Sequence, residues 1–164
     1  MADTRRLPPT LAALLLAACA QAPADDPAIA AAPVSPRLAE DAVLTRIAFG
    51  SCLHQSRDAS ILDRILADDP DLMLAIGDNV YGDVDGSDLA PLRAAYAEQA
   101  ASAPLNRLRG AVPTLAVWDD HDYGINDGGG DFPLRREAEA LFDSFWHVDP
   151  DSPAGRREGV HDAR

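Results

Sequence analysis

The chain has 164 residues, 27 of them acidic and 14 basic, and a formal net charge of −13 at neutral pH. A body this acidic repels nucleic-acid phosphate and anionic lipid, which excludes a direct electrostatic grip on either. Hydrophobic residues make up 47% of the chain, enough for one core and too much for a disordered polymer, and no apolar run reaches the roughly 20 residues that a membrane-spanning helix needs.

The first segment reads as an address. Arg5 and Arg6 make a positive start, Leu11 to Ala18 a short apolar run, and Leu16-Ala17-Ala18-Cys19 resembles a bacterial lipobox, where cleavage leaves a lipid-carrying cysteine at the new N-terminus. Residues 1–18 are therefore expected to be a lipoprotein signal peptide and Cys19 the lipidation site. The mature protein would be exported and held at a membrane, on its periplasmic or cell-surface side, only through that anchor. An ordinary signal peptide, with Cys19 in place by chance, is the other reading. Loss of Asp3, Arg5 and Arg6 removes one net positive charge, so −13 becomes −14. Residues 19–43 are rich in Ala and Pro, with Pro23, Pro27, Pro33 and Pro36 interrupting any helix, and read as a tether.

The folded part is expected over residues 44–164. Thr45 to Phe49 is a short β-branched and aromatic run ending at Gly50, which predicts a strand. Ser60 to Ala67 places Ile61, Leu62, Ile65 and Leu66 on one helical face, and Asp68-Asp69-Pro70 stops it. Leu72 to Ile76 is continuously apolar, the pattern of a parallel strand buried on both faces. A helix is expected over Asp88 to Ala103, capped by Asp88 and with Pro91 in its first turn. A helical turn at Leu105 to Arg109 precedes a third strand, Pro113 to Trp118. Leu134 to Trp146 repeats apolar residues at Leu134, Ala138, Leu141, Phe142 and Phe145, one stripe of an amphipathic helix. The alternation β-α-β-α-β-α predicts an α/β fold with a parallel sheet.

Each predicted strand runs into a polar cluster: Ser51-Cys52-Leu53-His54, then Asp78-Asn79-Val80-Tyr81-Gly82-Asp83, then Asp119-Asp120-His121-Asp122 and on to Asn126-Asp127. Ligands of open α/β sheets bind at the carboxyl ends of the strands, so the three clusters should converge on one crevice. Packing carboxylates together costs several kcal/mol unless something neutralises them, and every basic residue of the chain is Arg, with no Lys present. Multivalent cations are the economical answer, with carboxylate, amide and phenolate oxygens suited to hard ions and imidazole and thiolate to transition metals. A bound cation would also protect Cys52, which has no partner thiol once Cys19 is lipidated. The bland reading is a set of solvated Asp-rich turns. An EF-hand over Asp83 to Asp88 fails, because aligning Gly86 with the loop's glycine puts Tyr81 and Leu92 where acids are required.

These clusters resemble the alkaline phosphatase D (PhoD-like) family of metallophosphatases. The matching segments are Phe49-Gly-Ser-Cys52, Pro70-Asp-Leu-Met-Leu-Ala-Ile-Gly-Asp-Asn-Val-Tyr-Gly-Asp83 and Val117-Trp-Asp-Asp-His-Asp-Tyr-Gly-Ile-Asn-Asp127, with similarity running on through Phe142 to Trp146 and Arg156 to Val160. The resemblance implies the first, parallel half of a metallophosphatase-type α/β sandwich, the family's pattern continuing past Arg164 to a second sheet and later His and Asp ligands. It implies a bi- or trinuclear centre of divalent or trivalent ions, iron and calcium, with Cys52, Asp78, Tyr81, Asp120 and Asn126 as ligands and Asp78 bridging. It implies His121 as the residue that stabilises or protonates the leaving oxygen, its ring held by a carboxylate such as Asp122. His54, His147 and His161 read as surface residues, and Arg135 and Arg136 as solvated side chains that could also meet phosphate.

Metal-dependent hydrolysis of phosphate mono- or diesters by a lipid-anchored, extracytoplasmic monomer is therefore the leading expectation. The rival is a non-catalytic lipoprotein piece that binds metal or a partner through the acidic crevice.

Overall fold

Residues 26–85 and 87–161 are described by a computed structural model; residues 1–18, expected to be a signal peptide, Cys19, expected to be lipidated, and residues 20–25 lie outside the described residues. The continuous apolar run forms the central strand, β2 (Leu72–Ile76), with β1 (Ile47–Gly50) on one side and β3 (Thr114–Val117) on the other, both parallel to it. The helices are α1 (Pro27–Ala30), α2 (Ile61–Ala67), α3 (Ala90–Ala100), α4 (Ala103–Ala111), α5 (Asp120–Tyr123) and α6 (Arg135–Trp146). The result is the α/β fold with an open, three-stranded parallel sheet that the pattern predicts.

Register and the two-residue side-chain period decide the faces. Ile47 and Phe49 of β1 align with Leu72 and Leu74, and Leu74 and Ile76 with Leu115 and Val117, so these seven share one face. Ala48, Met73, Ala75, Thr114 and Ala116 share the other, where Met73 joins a core with Leu62 of α2 and Leu105 and Leu108 of α4. The first face is open toward its carboxyl end: Phe49 is 70% exposed and Ile76 47%, whereas Leu72 is 5% exposed. The expectation of β2 buried on both faces therefore holds at Leu72 and fails toward Ile76.

Other departures have local causes. β1 begins two residues late because the Thr45 and Arg46 N–H groups both donate to Asp71 Oδ2, at 2.7 and 2.8 Å, before the ladder starts. The helix expected to reach Ala103 stops at Ala100, and the turn at Leu105 to Arg109 belongs to a nine-residue helix, α4, entered from extended backbone at Ser102 with Pro104 in its first turn. Asp88 Oδ1 accepts the Ala90 N–H at 2.7 Å and so serves α3 from just ahead of it. The loop after β3 contains one helical turn, α5, which Gly124 ends in the left-handed region at φ 100°.

The tether is corrected from Asp26 onward. Asp26 Oδ1 accepts the Ala28 N–H, Pro27 opens a short helix, and Ile29 is completely buried in the core. Ser35 Oγ then accepts the Thr114 N–H at 2.8 Å and donates to the Val112 carbonyl at 3.0 Å, which fixes this segment to the start of β3. His147 is corrected too: it ends α6 with φ 54°, and its Nε2–H donates to the Ala32 carbonyl at 2.7 Å. His161 is exposed, as expected. Among the described residues no helix is long and apolar enough to cross a membrane.

Candidate metal centre

The chain turns sharply at the end of β1 and β2. Cys52 and Asp78 have φ of 62° and 49°, a left-handed backbone that non-glycine residues adopt at a cost, and Gly77 between β2 and Asp78 has φ 101°. A side chain at Gly77 would also collide with the Asp119 Cβ, 2.7 Å from a built Cβ, so the loops after β2 and β3 touch through this glycine. The turns are tied together by Cys52 N–H donating to the Gly77 carbonyl and Leu53 N–H to the Asp78 carbonyl, at 3.2 and 2.8 Å.

These turns gather the predicted groups around Asp78. Its Oδ2 accepts the Tyr81 hydroxyl at 2.9 Å and lies 3.5 Å from the Cys52 Sγ. Its Oδ1 is buried without a hydrogen-bond partner. Asp78, Asp120 and His121 each offer a ligand atom, and the three atoms lie within 4.8 Å of one another. Asp120 is oriented by its backbone surroundings: Oδ1 accepts the His121 N–H at 2.9 Å and Oδ2 the Asp127 N–H at 2.5 Å. The Asp127 bond above all keeps this carboxyl below the ordinary carboxylate range, against some burial.

His121 is held by Asp83 and not by Asp122. Its Nδ1–H donates to Asp83 Oδ1 at 2.7 Å, which leaves Nε2 free of that bond. Burial alone would lower the imidazole pKa, but the Asp83 bond and the charges of Asp83, Asp78 and Asp120 outweigh it and raise the pKa above its usual value. Asp122 is instead a buried strut. It accepts the Asn79 N–H at 3.0 Å, the Asn79 side-chain amide at 3.2 Å and the Asp119 N–H at 3.0 Å, binding the β2 loop to the β3 loop. Burial pushes its pKa up to about 6, those bonds offsetting only part of the desolvation.

Asn126 stands apart from this cluster. It is exposed, and its amide donates to Asp127 Oδ2 at 2.9 Å. Asp119 is exposed as well. Arg135 donates to the Phe132 carbonyl, and Arg136 pairs with Glu139 and Glu158, so both are engaged within the C-terminal part.

Three further residues belong to the site's construction. His54 stacks on Tyr81 with ring centroids 4.9 Å apart and planes 12° apart, and Tyr81 in turn lies 4.3 Å from the His121 ring. Gln55 clasps Tyr81 from both sides of its amide, donating to the Tyr81 carbonyl at 2.8 Å and accepting its N–H at 3.0 Å. Gln99 of α3, 1% exposed, donates to the carbonyls of Leu53 and Asn79 and so joins the first two loops from below. Gln99 left a signal in the sequence as a polar residue on the stripe Leu92, Ala95, Tyr96, Ala100, and His54 stands in the polar cluster after β1, although it reads there as a surface residue.

The donor set fits a multivalent cation. Without one, burial and the neighbouring Cys52 and Asp78 hold the Tyr81 phenol far above its ordinary pKa, so it stays neutral, and the buried Asp78 oxygen lacks a partner. A cation satisfies that oxygen and stabilises thiolate and phenolate together.

No family model matches the chain, and no curated protein matches it. A solved structure titled "Structure of PhoD" resembles it with a TM-score of 0.55 and 18% sequence identity, over 77% of this chain and 29% of that one. The likeness is one of fold, that of a partial PhoD-like α/β architecture, and the chain spans less than a third of the length of that structure.

Proposed function

We propose that this chain carries part of the active centre of a metal-dependent phosphate mono- or diester hydrolase of the alkaline phosphatase D type, exported and anchored through lipid on Cys19. The single observation that carries the reading is the unpartnered, buried Oδ1 of Asp78 at the point where Cys52, Tyr81, Asp120 and His121 meet. In an acidic chain, positive ions would offset the repulsion within such a cluster. Cys52, Asp78, Tyr81 and Asp120 would hold the metals, iron and calcium by the family resemblance, and Asn126 would join them by turning away from Asp127. Bound metal supplies Lewis-acid charge for phosphoryl oxygens in a protein whose own field repels phosphate.

The protein's own part is proton handling and positioning. His121 keeps its Nδ1 proton toward Asp83, which leaves Nε2 free of that bond, where a proton could be donated to a leaving oxygen. The stack of His54, Tyr81 and His121, with the Gln55 clasp, holds that ring in place.

The test is hydrolysis of a chromogenic phosphodiester by protein loaded with iron and calcium, beside elemental analysis of the same sample. His121→Ala is expected to lower turnover by at least about 100-fold, the scale of general acid catalysis, with metal content retained. Unchanged turnover in that variant removes His121 from the mechanism. Bound metal with no turnover under any added cation would assign the crevice to metal or partner binding without catalysis.

A further inference from the structure

Between the sheet and helices α2 and α4 lies a hollow of about 230 Å3 that shares a wall with the centre described above. Gly50 and Ser51, from the end of β1, and Gly77 and Asn79, from the end of β2, line it. Parallel strands all end at one edge of the sheet, and at that edge Cys52 directly follows Ser51 and Asp78 directly follows Gly77. The Ser51 hydroxyl lies 3.3 Å from the Cys52 thiol, which in turn lies 3.5 Å from Asp78 Oδ2.

Exposure marks the mouth. Phe49 and Ile61 line the hollow and are 70% and 60% exposed, and Ser51 is exposed as well, so the opening is at the end of β1 and the start of α2. The inner end is closed by the buried side chains of Leu62, Met73, Leu105 and Leu108. Small strand residues keep the space free: Ala75 lines it from the central strand, and a Cβ built on Gly50 would meet only Met73 Cε, at 3.8 Å. The amides that reach it are already spent, Gln99 on the Leu53 and Asn79 carbonyls and Asn79 on Val117 and Asp122. What the hollow offers a ligand is therefore mainly apolar contact, next to a centre that offers charge.

We propose that the hollow is the subsite for an apolar ester group of the substrate, an alkyl chain carried on a phosphate that is held at the Asp78 centre. The proposal rests on the phosphoester hydrolase reading above and adds which esters are taken, those of apolar alcohols in preference to those of methanol or a polyol. Size sets the limit: an engineered cavity of about 150 Å3 accepts benzene, so this one takes about nine non-hydrogen atoms. The phosphate itself stays at the sheet edge, because an anion drawn among Ile65, Met73 and Leu105 would lose its hydration without a partner.

The experiment titrates the full chain, loaded with iron and calcium, with methylphosphonate and with hexylphosphonate, whose carbon–phosphorus bonds resist hydrolysis, and follows binding by calorimetry. Each buried methylene is worth about fourfold in affinity, so hexylphosphonate is expected to bind at least about tenfold more tightly than methylphosphonate. Ala75→Leu, which fills the hollow, should remove that preference and leave methylphosphonate affinity unchanged; Ile65→Phe serves the same purpose if that variant does not fold. Hexan-1-ol, which has no charge for the metals to hold, should compete with hexylphosphonate and not with methylphosphonate, and this decides the matter even if neither variant folds. Equal affinity for the two phosphonates, a preference that survives in a filled variant, or no competition by the alcohol would each overturn the subsite and leave the metal centre standing. Failure of both phosphonates to bind would overturn the subsite together with the reading on which it rests.

Discussion

Asp78 and Asp122 lie on adjoining loops and are used in opposite ways. Asp122 is fully enclosed, and its two oxygens accept the N–H groups of Asn79 and Asp119 and the Asn79 amide. Truncating it to Ala strands two backbone donors, and each buried orphan costs about 1–3 kcal/mol. Asp122→Ala is therefore expected to lower the unfolding free energy by about 3 kcal/mol or more in denaturant titration. Asp78 presents one idle oxygen and one that takes a phenol and a thiol. Asp78→Asn, which tolerates the left-handed backbone at this position, should change stability by less than about 1 kcal/mol while removing calorimetrically detectable metal binding. If Asp78→Asn destabilises the protein as much as Asp122→Ala does, Asp78 is a strut and the metal assignment fails.

Elements that a local pattern specifies were legible in the sequence, and those that depend on distant partners were not. β2 is a continuous apolar run and α6 a clean stripe at Ala138, Leu141, Phe142 and Phe145, so their positions follow from periodicity. The split between α3 and α4 rests on a break at Ala101 and Ser102, and Ala-rich sequence hides it. Cys52, Asp78 and Tyr81 could be grouped from strand ends alone, yet the choice of Asp83 over Asp122 to hold His121 depends on a contact across 38 residues. The same holds for α1, which proline content disguised as a spacer. Its one large apolar residue, Ile29, is completely buried, and the element packs against α3 and α6. Ile29→Ala is expected to cost about 2–4 kcal/mol by the usual penalty for emptying a buried aliphatic site. A cost below about 0.5 kcal/mol would show that α1 is not part of the core.

At the scale of the whole molecule the sheet is a boundary, largely apolar on both sides, with its exposed apolar residues on only one. Ile47, Phe49, Ile76 and Val117 are exposed on one face, whereas Met73, on the other, is 6% exposed. A fold that buries one sheet face ordinarily alternates apolar and polar residues along its strands; here the open face is apolar throughout, from Ile47 to Val117. Local sequence therefore cannot tell the covered face from the open one, and packing alone decides. The difference is measurable. Phe49→Lys and Ile76→Lys remove no buried contact among the described residues, so each should change the unfolding free energy by less than about 1 kcal/mol and should reduce the fluorescence of an apolar-surface dye. Met73→Ala, by contrast, should cost about 2–4 kcal/mol. A reversal of that order, with the lysines costly and Met73→Ala mild, would mean that the core lies on the side of Phe49 and Ile76.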